Sequence, residues 1–189
     1  MWTLISLWLL FGISHSFLAA TNVRSFFEQL TPNKPHYFRL MYNLIAVFLL
    51  FLIICKTIDL NSDLMGNHYF LIKLIGGLLI LSSFYVLFGV AKQMDLMSFF
   101  GFKSEDRNGE LMTDGWYKIV RHPLYFGLLL LFLGILLLYP TLGVLISVAF
   151  SKLYIIVGIE FEETKLRRVF GQKYIDFSIG KKKFIPFIY

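Results

Sequence analysis

Charged side chains are scarce in this chain. Only 16% of its 189 residues are Asp, Glu, Lys or Arg, whereas 57% are hydrophobic and 18% are aromatic. A soluble domain usually carries about a quarter charged residues, and a disordered chain carries few aromatic ones. The composition therefore excludes both classes and favours a membrane protein. The length fits one domain over residues 1–189, with no room for a second domain of useful size.

Cysteine is nearly absent, because Cys55 is the only one in the chain. A single cysteine excludes an intramolecular disulfide, a thiolate zinc site and a dithiol redox pair. No other motif in the sequence predicts a metal, haem or flavin site. Basic residues are also missing from Met1–Ser14. Since a secretory signal peptide normally begins with a basic segment, we expect the first apolar run to be a retained membrane span.

Apolar runs long enough to cross a membrane recur along the chain, since a bilayer core takes roughly 20 apolar residues as a helix. The expected spans are Trp2–Ala20, Phe38–Ile58, Tyr69–Ala91, Leu124–Leu138 and Leu142–Ile159. The short turn between the last two predicts an antiparallel helical hairpin. After it, Phe161–Phe177 predicts an amphipathic helix on the membrane surface. The predicted fold is thus an all-α, polytopic membrane protein with about five transmembrane helices.

The basic residues predict how these spans are oriented. A net charge of +6 can indicate a nucleic-acid partner, but membrane topology explains basic residues placed between apolar spans better. The first loop, the third loop and the tail contain Arg24, Lys34, Arg39, Lys92, Lys103, Arg107, Lys118, Arg121, Lys165, Arg167, Arg168, Lys173, Lys181, Lys182 and Lys183. Only Lys56 and Lys73 flank the opposite ends. We therefore expect the N-terminus outside, the C-terminus in the cytoplasm, membrane lipids as partners and no nucleic acid.

Two polar clusters are predicted to meet at one membrane face. Arg121 and His122 precede the fourth span, and Glu162 and Glu163 follow the fifth. At about 1.5 Å per residue, the fourth span runs out and the fifth returns a similar distance. Pro123 suits the first position of a helix, where its missing N–H costs nothing. The hairpin therefore predicts that His122 and Glu163 lie at one level.

The charges of these clusters predict a ligand with charges of both signs. A helix N-terminus and Arg121 favour a carboxylate, whereas Glu162 and Glu163 at a helix C-terminus favour a cation. S-adenosylmethionine has a carboxylate, an ammonium and a sulfonium, and thus fits this pattern. Aromatic side chains nearby can hold an adenine ring or face the sulfonium. They are Trp116, Tyr117 and Tyr125.

An alternative interpretation needs no ligand. Arg121 and His122 then obey only the positive-inside rule, and the aromatic residues form an interfacial belt. On this interpretation the acidic pair Glu162-Glu163 interacts with basic residues of the surface helix, for a few tenths of a kcal/mol each. Those basic residues are Lys165, Arg167 and Arg168.

The segment Arg121–Gly127 resembles the RHPxYxG motif of integral-membrane methyltransferases, which include isoprenylcysteine carboxyl methyltransferases and phospholipid N-methyltransferases. In that superfamily a helical hairpin and then a Glu-Glu pair follow the motif. Here the pair is Glu162-Glu163, and the residues after it continue the family's pattern. Those residues are Leu166, Phe170, Gly171 and Tyr174.

A closer resemblance covers most of the chain. The run His15–Ala19 resembles the H-S-x-x-A of bacterial methanethiol S-methyltransferases and NnrU-like membrane proteins, and Asp95–Gly101 resembles the stretch before their motif. Those methyltransferases usually have an additional N-terminal span and a longer central loop, which is where this chain departs from them. The resemblance implies a bacterial inner-membrane protein whose cofactor-binding half is about residues 92–189.

The activity that the resemblance implies is methyl transfer from S-adenosylmethionine to a small thiol, as from methanethiol to dimethyl sulfide. It places the cofactor among Tyr117, Arg121, His122, Pro123, Tyr125, Glu162 and Glu163. His122 and Glu163 are the candidate catalytic residues, and His122 is the nearest titratable group that can take a thiol proton. His15 and Asn43 are candidates for a substrate pocket or for hydrogen bonds between helices.

Two other functions remain open from the sequence. The first keeps the methyltransferase but changes the acceptor to a lipid or to the carboxylate of a prenylated cysteine. The second is a non-catalytic membrane protein, either of the NnrU-like kind or a small transporter. A pocket for a lipid acceptor is expected to open sideways between the spans, whereas a pocket for a small thiol can be closed.

Overall fold

A computed structural model describes residues 1–30, 36–62, 64, 70–100, 102 and 110–186. Several residues of the sequence analysis lie outside this part of the chain. They are Lys34, Tyr69, Gly101, Lys103 and Arg107.

Helices make up the secondary structure throughout the described residues. They are α1 (Trp2–Ala19), α2 (Thr21–Leu30), α3 (His36–Asp59), α4 (Phe70–Ala91), α5 (Leu96–Phe100), a 3₁₀ turn (Gly115–Lys118), α6 (Pro123–Leu138), α7 (Leu142–Phe170) and α8 (Gln172–Ser178). Helices α1, α3, α4 and α7 are long and apolar enough to cross a membrane. Helix α6 is apolar but shorter, at roughly 24 Å. The predicted all-α, polytopic membrane fold is confirmed.

The long helices carry large apolar side chains on their outer surfaces. Phe51 of α3 is 60% exposed, and Leu71 and Phe88 of α4 are 70% and 63% exposed. Apolar surface this extensive is rare on a soluble monomer. It is the surface that a helix presents to lipid, so the exposure pattern agrees with the membrane assignment.

The chain divides into two compact units, of which the first contains Met1–Ser62 and Met94–Gly109. In this unit α1 packs against α3, and α2 contacts both helices. The α1 side chains Leu4 and Trp8 are buried, as are Phe38 and Ile53 of α3. This unit contains His15 and Asn43.

The second unit contains Asp63–Gln93 and Glu110–Tyr189. Here α4 and α6 approach closely through glycine, because a Cβ on Gly134 would lie 2.8 Å from the carbonyl oxygen of Gly76. A hydrogen bond also joins these helices, because the Ser83 hydroxyl of α4 donates to the carbonyl oxygen of Gly127 in α6 at 2.8 Å. Helix α6 is thereby held rigidly, with its N-terminal end available to build a site.

The hairpin of α6 and α7 forms as predicted, but α7 is longer than the sequence suggests. Its N-terminus is capped by the Thr141 side chain, which accepts a hydrogen bond from Val144 N at 3.3 Å. The helix continues through Glu163 to Phe170, because the sequence has no glycine or proline between Ile159 and Phe170. The helix ends before Gly171, whose φ of +53° lies outside the helical range. The expected surface helix Phe161–Phe177 is therefore the last part of α7 followed by the short α8.

Candidate functional site

His122 and Glu163 meet at one end of the hairpin. His122 Nε2 lies 3.3 Å from Glu163 Oε1, although 41 positions separate the two residues in sequence. Both residues are only 3% exposed. The predicted meeting of the two polar clusters is confirmed for this pair.

The start of α6 is fixed by the C-terminal segment of the chain. Arg121 N donates to the carbonyl oxygen of Lys182 at 3.0 Å, and His122 N donates to that of Lys183 at 2.9 Å. Val120, which pairs with Lys182 in a parallel bridge, is fully buried. We call Lys182–Ile185 the C-terminal strap. Sequence reasoning missed its role, because a short parallel pairing between distant segments leaves no periodic pattern.

The strap is also anchored by side chains. Phe184 is 5% exposed and packs with Ile155 and Ile159 of α7, and partly buried side chains of α6 complete this cluster. The ammonium of Lys183 forms an ion pair with Glu160. The only sequence signal for this anchor is an aromatic residue directly after three lysines.

The sequence predicts two adjacent sites, one for an anion at Arg121 and one for a cation at the acidic pair. In the structure Arg121 instead contacts the acidic pair directly. Its Nη1 lies 2.7 Å from Glu163 Oε1, and the two side chains are 12% and 4% exposed. The two charges pair because opposite helix ends meet in a poorly solvated place. Arg121 Nε is buried and makes no hydrogen bond within the described residues. One donor of Arg121 is thus left without an acceptor in the described part of the chain.

Glu163 is the hub of this cluster. Its second oxygen lies 3.5 Å from Arg167 Nη2, one turn further along α7. The Tyr174 side chain, 1% exposed, packs beside it. Burial and the charge of Glu163 raise the pKa of Tyr174 to about 12, so its phenol is neutral at physiological pH. A buried carboxylate that joins two arginines and a histidine has a structural role whatever else it does.

Glu162 has a different environment from its neighbour. Its side chain is 43% exposed, and Oε2 lies 3.5 Å from His122 Nδ1. Burial and the charge of Glu162 raise the pKa of Tyr117 to about 12. The ring of Tyr125 lies 5.9 Å from that of His122, and its hydroxyl faces Glu162. Glu162 is therefore a half-exposed carboxylate among aromatic rings, which is an arrangement suited to a cation.

Pro123 and Trp116, the remaining candidate residues near the start of α6, both have packing roles. Pro123 is the first residue of α6, as predicted, and is buried. Trp116 packs on α4, since a Cβ on Gly89 would lie 2.5 Å from its Nε1, and its ring meets that of Tyr85 edge-on. Trp116 thus serves the packing of the 3₁₀ turn, and Tyr117 is the aromatic residue of this turn that is close to the carboxylates.

His15 and Asn43 have neighbours within the first unit. The His15 ring stacks on Phe11 at 5.6 Å and meets Tyr42 edge-on at 5.7 Å. Asn43 Nδ2 donates to the carbonyl oxygen of Phe100 at 2.8 Å, which secures the end of α5. This contact supports a role in joining segments for Asn43. A substrate-pocket role for either residue stays a prediction.

Comparison with known proteins shows the family of the chain. The model of the phospholipid methyltransferase family matches residues 68–173, more than half of the chain. The chain is 26% identical to a methanethiol S-methyltransferase of Pseudomonas deceptionensis, over 94% of its own length and 69% of that protein. It is 28% identical to a methanethiol S-methyltransferase of Crocosphaera subtropica, over 95% of its length and 72% of that protein.

A third relative is named for a different methyl acceptor. The chain is 28% identical to protein-S-isoprenylcysteine O-methyltransferase B of Arabidopsis thaliana, over 44% of its length and 43% of that protein. No solved structure is significantly similar to the chain. The matched segment contains α4, α6 and α7, and with them Arg121, His122, Glu162 and Glu163. The chain belongs to the phospholipid methyltransferase family and is a polytopic membrane methyltransferase.

Proposed function

We propose that this protein transfers a methyl group from S-adenosylmethionine to a small thiol, with methanethiol as the acceptor and dimethyl sulfide as the product. One observation carries the proposal. A buried Arg121–Glu163 pair with a spare guanidinium donor lies next to a half-exposed Glu162 among aromatic rings. The names of the two relatives aligned over most of the chain support the thiol as acceptor.

The residues present fit this cofactor. Arg121 Nε is a buried donor that lacks a partner within the described part of the chain, and such a donor is costly unless a ligand oxygen accepts from it. A carboxylate supplies that oxygen. Glu162, together with the rings of Tyr117 and Tyr125, suits an ammonium or a sulfonium. Thus both signs of charge on the cofactor have a counterpart here.

The proposed methyl transfer needs no covalent intermediate with the protein. S-adenosylmethionine, when bound, supplies a methyl group that its sulfonium already activates. The acceptor thiol must give up its proton so that a sulfur lone pair can form the new S–C bond, while the bond between the methyl carbon and the sulfonium would break and leave a neutral thioether. We assign that proton to His122, whose ring has carboxylates 3.3 Å and 3.5 Å away to compensate the charge it gains. Glu163 holds both His122 and Arg121 in position.

Exclusion of water is the other contribution of these residues. Val120, His122 and Pro123 are almost fully buried, and the C-terminal strap covers this end of the hairpin with Phe184. A dry site strengthens each charge interaction and protects a reactive thiolate from protonation. We place the site on the cytoplasmic face of a bacterial inner membrane, in the orientation that the basic residues predict.

Binding of S-adenosylmethionine to the purified full chain tests the cofactor directly. We expect Arg121→Lys and Glu162→Gln each to raise the Kd about tenfold, because each removes a charge-assisted hydrogen bond. Lys173→Gln, at an exposed position of α8, is the matched control and is expected to leave the Kd unchanged. A wild-type protein that binds no S-adenosylmethionine would refute the proposal.

A lipid acceptor is the second candidate, and the match to the phospholipid methyltransferase family model favours it. The relative from Arabidopsis thaliana, named for isoprenylcysteine, supports a prenylated carboxylate in the same way. Radiolabelled S-adenosylmethionine separates the acceptors in native membranes. Label in the lipid fraction supports this second candidate, whereas label only in a volatile thioether supports the thiol.

A further inference from the structure

A second charged site lies beside the His122–Glu163 cluster. It is a cleft of about 450 Å³ lined by Lys118, Ile119, Gly180, Lys181 and Lys182. Lysine is the only charged residue type in this lining. None of the four side chains in this lining has a role in the proposed methyl transfer.

The three lysines are held close to one another although like charges repel. Burial and the nearby charge of Lys118 lower the pKa of Lys181. Lys181 Nζ lies 3.7 Å above the ring of Phe177, which holds its side chain against the protein. Lys118 pairs with Asp114 at 2.9 Å, so one of the three charges is offset. The cleft as a whole remains positive and is complementary to an anion.

The next lysine in the chain has a different partner. Lys183 turns away to Glu160, whereas Lys181 and Lys182 line the cleft. The tail lysines are therefore divided between an internal ion pair and the cleft.

The position of the cleft points to a lipid. The backbone of Lys182 accepts a hydrogen bond from Arg121 N, immediately before α6 begins, so the cleft lies at the level where a membrane span starts. Two large apolar side chains next to the lysines are exposed, Ile119 at 44% and Ile179 at 72%. Basic side chains with apolar neighbours at this level are typical of contact with lipid headgroups and acyl chains. A free anion has no acyl chains that could contact these apolar side chains, whereas a lipid does.

We propose that this cleft binds the headgroup phosphate of an anionic membrane lipid, with Lys118, Lys181 and Lys182 around the phosphate and Ile119 and Ile179 against its acyl chains. We propose this lipid as a bound component in addition to any methyl acceptor, because the cleft is lined by lysines, whereas Glu162 and the aromatic rings lie in the neighbouring site. The proposal stands independently of the acceptor and of the cofactor.

The test is lipid binding by the full chain in neutral detergent, followed by native mass spectrometry. The probes are phosphatidylglycerol, phosphatidylcholine and inorganic phosphate. The test variant combines Lys118→Gln, Lys181→Gln and Lys182→Gln. The matched control combines Lys165→Gln, Arg168→Gln and Lys173→Gln, which removes the same charge from exposed positions of α7 and α8. We expect the cleft variant to bind phosphatidylglycerol about tenfold more weakly and the control to bind it within about twofold of wild type.

Several results would overturn the proposal. Equal losses in the two triple variants would show that only diffuse charge attracts the lipid. Inorganic phosphate bound as tightly as phosphatidylglycerol would make the cleft a free-anion site, and equal binding of phosphatidylcholine would remove the role of charge. If the triple variant does not fold, the comparison of Lys181→Gln with Lys181→Arg replaces it. Weaker binding in Lys181→Gln that Lys181→Arg restores supports the proposal, and unchanged binding in both contradicts it.

Discussion

Nη1 of Arg121 lies 2.7 Å from Oε1 of Glu163, and this contact joins the segment just before α6 to the last turns of α7. Two charges in a poorly solvated place stabilise a structure only while both are present. The pair therefore holds together the two ends of the hairpin that would line a cofactor site. It also separates the structural role of Glu163 from the ligand role that we propose for Glu162.

The two neighbouring glutamates are expected to differ in their effects. Glu163→Gln leaves the buried Arg121 without its charged partner and should cost about 3–5 kcal/mol, seen as a lower Tm of the detergent-solubilised protein. Glu162→Gln changes a half-exposed side chain and should leave the Tm nearly unchanged while raising the KM for S-adenosylmethionine. Equal Tm losses in both variants would contradict the distinction.

The C-terminal strap is expected to be essential for stability. Phe184→Ala removes a buried ring from the cluster with Ile155 and Ile159, which typically costs about 3–5 kcal/mol. Val169→Ala, at a position of α7 that is 57% exposed, is the control and should change the free energy of unfolding by less than about 0.5 kcal/mol. Denaturant titration of both variants measures the difference. Similar small effects would mean that the strap does not anchor the hairpin.

Two glycines of α4 provide a matched pair for the contact between α4 and α6. A Cβ on Gly76 would lie 3.0 Å from the carbonyl oxygen of Gly134, whereas a Cβ on Gly77 meets nothing within 4 Å. Gly76→Ala should therefore push the helices apart and lower the Tm. Gly77→Ala should leave the Tm unchanged or raise it, because alanine favours a helix by about 1 kcal/mol over glycine. A drop in Tm for Gly77→Ala alone would refute this packing.

The phenols of Tyr117, which is partly buried, and of Tyr174, which is buried, predict how stability depends on pH. Burial and a nearby carboxylate raise the pKa values of Tyr117 and Tyr174 from 10.0 to about 12. The folded state therefore holds these protons more tightly, and the resulting stabilisation is present below pH 10 and lost as the pH rises through 12. We expect the Tm to fall between these pH values, and to fall less steeply in Tyr174→Phe. An identical pH profile for that variant would rule out the contribution of Tyr174.

The meeting of His122 and Glu163 could be predicted because it depends only on counting. The two predicted spans, Leu124–Leu138 and Leu142–Ile159, have similar lengths, so a short turn between them returns the chain to about the level from which it started. The spans could be predicted for a similar reason, since apolar run length and lipid thickness decide them. The lengths of the apolar runs and of the turn are local properties, which can be determined directly from the sequence.

Other parts of the site depend on contacts that the local sequence does not encode. The pairing of the strap with Arg121 and His122 joins segments about sixty positions apart and has no periodic signature. The end of α7 was misjudged because residues after Ile159 change in polarity but not in helix propensity. The pairing of Arg121 with Glu163 was missed because the sequence shows each charge at its own helix end. Neighbouring charges in space are a tertiary property.

Dimethyl sulfide in the headspace above membranes tests the central claim most directly. Membranes containing the wild-type protein, His122→Ala or the Lys173→Gln control receive methanethiol and S-adenosylmethionine. We predict dimethyl sulfide from the wild type and the control, and a reduction of at least about a hundredfold in His122→Ala, which lacks the proposed base. Dimethyl sulfide formed equally by His122→Ala, or no dimethyl sulfide from a wild-type protein that binds S-adenosylmethionine, would contradict the account.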